Sequence, residues 1–320
     1  MNNFEIDYSK EIEKLIEAYE KSGGKKEEIL SPQFASLILN GHKVLNVNNI
    51  KGIELKVIES TEEYIKLKII VEDNIKFKFP VHLCMGHTKP EGTQRIFSNY
   101  EIGDNVEIEF ITHCAFPDAK NLSHIMSSEI YIGKHSKMTY SETHYHGEKY
   151  GVLTEPRTKA YLKEGAIFYN LFKLTKGRVG KLDIIYEAYL EKNAVTELNT
   201  KVYGKKNDDI KINEIIHLNG EYSKGIAKSR VFLIENSKSE FIGKTYGNGN
   251  FSRGHIDCTE IIKDNAKAYA TPIVAVTNNT SKVTHEAAIG SVDKKQVETL
   301  MSKGLSEDEA IDIIVKGILK

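Results

Sequence analysis

Three cysteines and eleven histidines are the residues of this chain best suited to chemistry. Thiolate and imidazole are natural ligands for iron, zinc and copper(I). Cys258 and Glu286 lie 28 residues apart, in "HIDCTE" and "KVTHEAAIG", with His285 directly before the glutamate. Cys84, Cys114 and His144 are separated by 30 and 30, among His82, His87, His113 and His146. A buried apolar filler is the ordinary fate of a free cysteine. These residues become a site only if the fold stacks positions that are 28–30 apart.

The middle of the chain predicts such a fold. From about residue 42 apolar and charged residues alternate, as in "GIELKVIES", "YIKLKIIVE" and "IKFKFPVHLC", which read as half-buried strands. A strand–turn–strand unit then recurs in "EIGDNVEIEF", "YIGKHSKMTY", "YLKEGAIFYN", "YLEKNAVTEL", "FLIENSKSEF" and "EIIKDNAKAYA". Anchored on Ile102, Ile132, Leu162, Leu190, Leu233 and Ile262, its steps are 30, 30, 28, 43 and 29. The long step holds an extra half-unit around "VYGKKNDDIKI" and amounts to one and a half periods. A fixed period of roughly 20–50 residues signals a repeat architecture. Without helix signals inside the unit, that architecture is mainly β, a right-handed parallel β-helix (β-solenoid). An antiparallel sandwich would turn every ~8–12 residues instead.

In a solenoid, residues one period apart stack about 4.8 Å apart on neighbouring coils. Cys258 and Glu286 would then share a face on adjacent rungs, and His285 would point to the other face unless a bulge intervenes. Cys84, Cys114 and His144 would form a second ladder, with a mononuclear-metal enzyme built on Cys114, His144 and His146 as the alternative reading. "ETHYHG" has the His-x-His of a cupin, but a cupin has no 30-residue repeat. "YGNGNFSRG" lacks the Lys-Ser/Thr of a P-loop and reads as a turn.

The chain ends predict helices. "YSKEIEKLIEAYEKSGG" places Ile12, Leu15, Ile16 and Tyr19 at helical spacing before Gly23 and Gly24. "KKQVETLMSKG" is helical and stops at Gly304. A capping box formed by Ser306 and Glu309 opens a last helix with an apolar stripe at Ala310, Ile313, Ile314 and Ile318. That stripe packs on its own domain or docks a partner. The domain reading is residues 1–80 as an N-terminal helix plus strands, 81–288 as the β-helix core, and 289–320 as a helical subdomain.

Composition narrows the function classes. A formal net charge of −1 argues against a dedicated nucleic-acid binder. No apolar run approaches the ~20 residues needed to cross a bilayer. The N-terminus lacks a signal-peptide plan, and three cysteines make no disulfide framework. The expectation is a cytoplasmic protein that engages neither nucleic acid nor membrane.

The stretch "HIDCTEIIKDNAKAYATPIVAVTNNTSKVTHEAAIGSVDKKQVETLMSKGLSEDEAIDIIVKGIL" resembles the C-terminal part of the SufB/SufD family of iron–sulfur cluster assembly scaffolds. The specific match covers residues 255–320, and a weaker β-repeat similarity reaches back to about residue 95. The resemblance implies a right-handed parallel β-helix whose helical tail docks a SufC-like ABC ATPase. It also implies pairing of two scaffold chains through their β-helices. By position, Cys258 is similar to the essential SufB-type cysteine, Glu286 to the glutamate of the His-Glu-Ala motif, and His285 to its neighbour. Long SufB chains carry an extended N-terminal region with further cysteines. This chain has only a short cap and resembles the compact archaeal-type members, which implies a homodimer with two ATPase subunits. The implied cofactor is an iron–sulfur cluster, with 4Fe–4S as one form, passed on to recipient apo-proteins. On this reading the chain is a scaffold subunit and not itself an enzyme, ATP hydrolysis belonging to the partner.

Overall fold

The computed structural model describes residues 10–319. The first residues of the predicted opening helix, Tyr8 and Ser9, and the last tail residue, Lys320, lie outside the described residues. Helix α1 (Lys10–Ser22) buries Ile12, Leu15, Ile16 and Tyr19, as their spacing predicts. It ends where Gly23 adopts φ +107° and the amides of Gly23 and Gly24 bond back to Glu20 and Tyr19. After the single-turn α2 (Lys26–Ile29), the chain becomes β.

Two sheets, joined turn by turn, carry almost everything that follows. One runs β2 (Lys43–Asn48), β1 (Ser36–Asn40), β5 (Val81–Gly86), β7 (Glu107–Ala115), β9 (Lys137–His146), β11 (Ile167–Gly177), β13 (Val195–Gly204), β15 (Lys224–Leu233), β17 (Arg253–Ile262) and β19 (Lys282–Gly290). The other runs β3 (Ile53–Ser60), β4 (Ile65–Val71), β6 (Glu91–Ile102), β8 (Asn121–Ile132), β10 (Val152–Leu162), β12 (Gly180–Leu190), β14 (Asp209–Leu218), β16 (Lys238–Gly247) and β18 (Lys267–Val276). Consecutive strands alternate between the sheets from β4 onward, and pairing within each sheet is parallel apart from the antiparallel first pairs β1–β2 and β3–β4. This is a two-sheet β-solenoid. The expected strand over residues 75–84 is shorter, because Pro80 has no amide to give a ladder and β5 starts at Val81.

The sequence anchors are rung positions. Ile102, Ile132, Leu162 and Leu190 stack in one column of the nine-stranded sheet. Leu233 pairs with Ile262 in the other sheet, so the 43-residue step is the crossing from one sheet to its partner. Tight corners make each coil possible. Asn105, His135, Gly165, Asn193, Tyr222 and Phe251 all take the left-handed conformation, φ +55° to +69°. Amides there bond to the next coil, as Asn105 does to the Lys134 carbonyl, Asn193 to that of Glu221 and Phe251 to the Thr280 hydroxyl oxygen. Asn and Gly adopt this backbone at little cost. Tyr222 and Phe251 carry the strain and stack on each other, ring centroids 5.2 Å apart.

Both helical segments lie on the outer face of the ten-stranded sheet. Helix α1 covers its N-terminal end through Ile38, Leu45 and Cys84. The tail, α3 (Lys294–Met301) and α4 (Glu307–Ile318), packs on Phe232 and Ile261 at the C-terminal end. The predicted capping box is present: the Ser306 hydroxyl accepts from the Glu309 amide, and Glu309 Oε2 accepts from the Ser306 amide at 2.8 Å. The buried stripe is turned from the expected one. Ala310, Ile311, Val315 and Leu319 face the solenoid, Ile314 and Ile318 are half-buried, and Ile313 is 48% exposed. The row Ala310, Ile311, Val315 and Leu319 clusters with Phe232 and Ile261 of the sheet and Val297 of α3.

Among the described residues nothing covers the last coil. Register with β16 points Val274 and Val276 of β18 inward, yet they are 40% and 46% exposed. On β19 every residue except Val283 is exposed, including Ile289 at 45%. These are core positions of a solenoid that ends before they are buried.

Candidate functional site

One rung beneath that open end lies a thiol–carboxylate pair. Strand β17 alternates, with Gly254, Ile256, Cys258 and Glu260 buried inward and His255, Asp257 and Thr259 half-exposed outward. Cys258 is 1% exposed and donates its thiol hydrogen to Glu260 Oε1 at 3.8 Å. Ser239 of β16, across the interior, donates to the other Glu260 oxygen. Burial, with the Glu260 carboxylate added to it, drives the Cys258 thiol well above its ordinary range. Burial likewise raises Glu260 to about 7, against hydrogen bonds from Ser239 and Cys258 that favour the carboxylate. A second interior acid, Glu214, also sits well above the carboxylate range through burial, and it accepts from Thr200 at 2.7 Å. The pair is a dry site with a proton acceptor near neutrality beside a latent thiolate.

Register corrects the expected Cys258–Glu286 ladder. Cys258 pairs with Ala287, and Glu286 pairs with Asp257. The coil between β17 and β19 is 29 residues long rather than 28, and a one-residue slip moves a side chain to the opposite face. Glu286 therefore lies on the outer face, above an Asp257 that Arg230 binds at 2.5 Å. Partial burial works to raise Asp257, but the Arg230 hydrogen bond and charge outweigh it and hold that carboxyl below its usual value. His285 pairs with Ile256 and so lies on the inward row with Cys258, the reverse of the expected division. Both His285 and Glu286 are exposed at the rim, and small Ala287 is the register partner of Cys258 on the last strand.

The second expected ladder is half present. Cys114 pairs with His144 at a 30-residue step. Cys84 pairs with His113, because its coil is 29 residues long, and points outward into the cluster under α1. Cys84 is therefore not on the face of Cys114 and His144. His82 and His113 share that outer face, where Tyr19 and Ser22 of α1 hold their Nδ1 atoms at 3.1 Å and 2.6 Å. Inside, Cys114 and His144 meet His124 of the opposite sheet, their ligand atoms within 4.8 Å of one another. His146 Nε2 approaches His144 Nδ1 at 3.3 Å.

Sequence reasoning missed Glu260 and His124. Glu260 was within reach, since the period of two puts residue 260 on the face of residue 258. His124 was not, because spacing along one column says nothing about which side chains of the facing sheet meet it.

A two-sheet β-solenoid with a buried thiol–carboxylate pair beneath an unfinished end and a helical tail on its flank defines a narrow class of protein. The family model for "SUF system FeS cluster assembly, SufBD core domain" matches residues 82–318. The chain is 44% identical over 311 residues to an iron–sulfur cluster assembly SufBD family protein of Methanocaldococcus jannaschii, covering 97% of this chain and 98% of that one. It is 35% identical over 314 residues to a SufBD family protein of Pyrococcus horikoshii, covering 98% and 95%. A longer SufBD family protein of the same organism is 29% identical over 79% of this chain and 56% of its own length. The chain belongs to the SufBD family. Among the described residues no helix is long and apolar enough to cross a membrane.

Proposed function

We propose that this chain is a scaffold on which an iron–sulfur cluster is built and from which it is passed to recipient apo-proteins. The observation that carries the reading is Cys258, a buried thiol beside an acid poised near neutrality, one rung below an open apolar end that presents His285 and Glu286. Glu260 takes the thiol proton as iron(II) binds, and the thiolate so formed is an iron ligand. His285 and Glu286 complete the ligand set from the rim.

The uncovered end supports a homodimer. Parallel edge strands with free backbone groups and exposed core residues are surfaces that associate. Two copies meeting through β18 and β19 would bury Val274, Val276 and Ile289 and bring two Cys258 sites toward one axis. Each chain would then offer His285 and Glu286 to a cluster held between the copies. The tail supports docking of a SufC-like ATPase: its inner face is spent on Phe232 and Ile261, while Met301 and Ile313 remain apolar and exposed.

The test is anaerobic reconstitution with iron(II) and sulfide, followed by iron and sulfide analysis of the desalted protein. Wild type should retain both in equal amounts per dimer. Cys258→Ala should retain no sulfide and lose the iron bound with it, and Glu286→Ala should lose most of that iron. Unchanged retention in Cys258→Ala would remove Cys258 from the site.

A further inference from the structure

We propose that Cys114, His124 and His144, with His146 as fourth donor, form a closed site inside the solenoid for a resident metal ion of borderline or soft character, such as zinc(II) or iron(II). Three observations converge there. The thiol and two imidazoles come from three strands, β7, β8 and β9, and their ligand atoms lie within 4.8 Å of one another at fully buried positions. Tetrahedral thiolate and imidazole ligands sit roughly 3.3–3.8 Å apart around zinc, so the set needs to close by only about 1 Å.

His124 is 0% exposed, and neither of its ring nitrogens has a hydrogen-bond partner. Buried imidazoles are ordinarily hydrogen-bonded, and one with two orphaned nitrogens marks a missing partner.

The third observation is a conflict of lone pairs. His146 Nδ1 lies 3.1 Å and 3.2 Å from the carbonyl oxygens of Arg178 and Val179, which only accept, so Nδ1 carries the hydrogen and Nε2 is bare. His144 Nε2 lies 2.5 Å from Glu142 Oε1, and where that nitrogen carries the hydrogen of the contact, His144 Nδ1 is bare as well. These two bare nitrogens face each other at 3.3 Å. A proton on Glu142, passed along the row, or a metal ion between the rings relieves that repulsion. The adjacent Cys114 thiol and the unpartnered His124 select the metal. Carbonyl and carboxylate partners on the far ring nitrogens are the outer-shell arrangement that orients metal-bound histidines.

Phe116 and Phe172 wall the site, their ring centroids 4.7 Å and 4.8 Å from His124 and His144. A fully enclosed four-donor set leaves no position for substrate, so this ion would be structural, unlike the metal of a mononuclear enzyme. It would pin the two sheets together several coils before Cys258, and its existence does not depend on the scaffold reading. Enclosure also means that the ion enters while the chain winds.

The experiment therefore refolds the full chain from denaturant and chelator in the presence of cobalt(II), then desalts it. Wild type and Cys258→Ser should each retain one cobalt per chain, with tetrahedral d–d absorption and a thiolate-to-cobalt charge-transfer band. Cys114→Ser should lose the band, and His124→Gln should lose the tetrahedral spectrum. Should these variants fail to fold, pulsed alkylation of wild type with and without zinc(II) decides: zinc should slow modification of Cys114 several-fold more than that of the equally buried Cys84. Absence of retained cobalt in wild type, a band that follows Cys258, or equal protection of Cys84 and Cys114 would overturn the site.

Discussion

Cys258 sits where burial, Glu260 and Glu214 all favour its protonated form, so loading a metal there must displace a proton. Uptake of iron(II) should rise with pH, and Glu260→Gln should slow it most near neutrality. Glu260 also has a stability signature. Its carboxyl is raised from 4.5 to about 7. The favourable contribution of the protonated form is fully present below pH 4.5 and is lost as pH climbs to 7, on the order of 3 kcal/mol. Chemical denaturation of wild type against Glu260→Gln should show wild type losing ground to the variant across that window. A pH-independent difference would mean that Glu260 is not buried as a neutral acid. At this scale the sequence was legible in residue type and coarse spacing, but face assignment failed at Cys84 and Glu286. Both errors have one physical cause. A coil of 29 rather than 28 or 30 residues reverses a side chain, and nothing local in the sequence announces that single residue.

At the scale of elements, the repeat and the tail were readable because their signals are local. Turn residues such as Asn105 and Asn193 announce left-handed corners, and Ser306 with Glu309 announces the start of α4. The side of α4 that packs was not readable, since apolar residues surround much of the helix and the groove between Phe232 and Ile261 decides. Ile313 is thereby freed for a partner. Ile313→Asp should change the melting point little, within the ~0.5 kcal/mol usual for surface sites, yet abolish co-purification with the proposed SufC-like ATPase. Loss of residues 305–320 should do the same at a larger cost in stability. Intact binding by Ile313→Asp would place the ATPase elsewhere. Ser306→Ala should cost about 1 kcal/mol of α4 stability through the lost cap, measurable as a lowered denaturation midpoint.

Across the whole molecule, the solenoid is finished at one end and unfinished at the other. The sheets end near the N-terminus in antiparallel β2 and β3, where Leu45, Ile53 and Leu55 are buried, and at the other end in parallel β18 and β19, where the core positions Val274, Val276 and Ile289 are exposed. The repeat predicts a solenoid, but no sequence period tells which end is closed; that follows from three-dimensional neighbours. In sedimentation analysis the wild type should run as the proposed dimer and Val274→Glu, with its fold intact, as a monomer, because the substitution places a charge at the centre of the proposed paired ends. A dimer that survives would locate the interface elsewhere. The central claim is that Cys258, beneath this end, holds a cluster in transit. It is tested most directly by anaerobic transfer: the reconstituted chain, wild type or Cys258→Ala, is mixed with an apo-ferredoxin and the recipient's cluster absorption is followed. Wild type should deliver its cluster while Cys258→Ala delivers none; equal transfer by the two proteins would contradict the account.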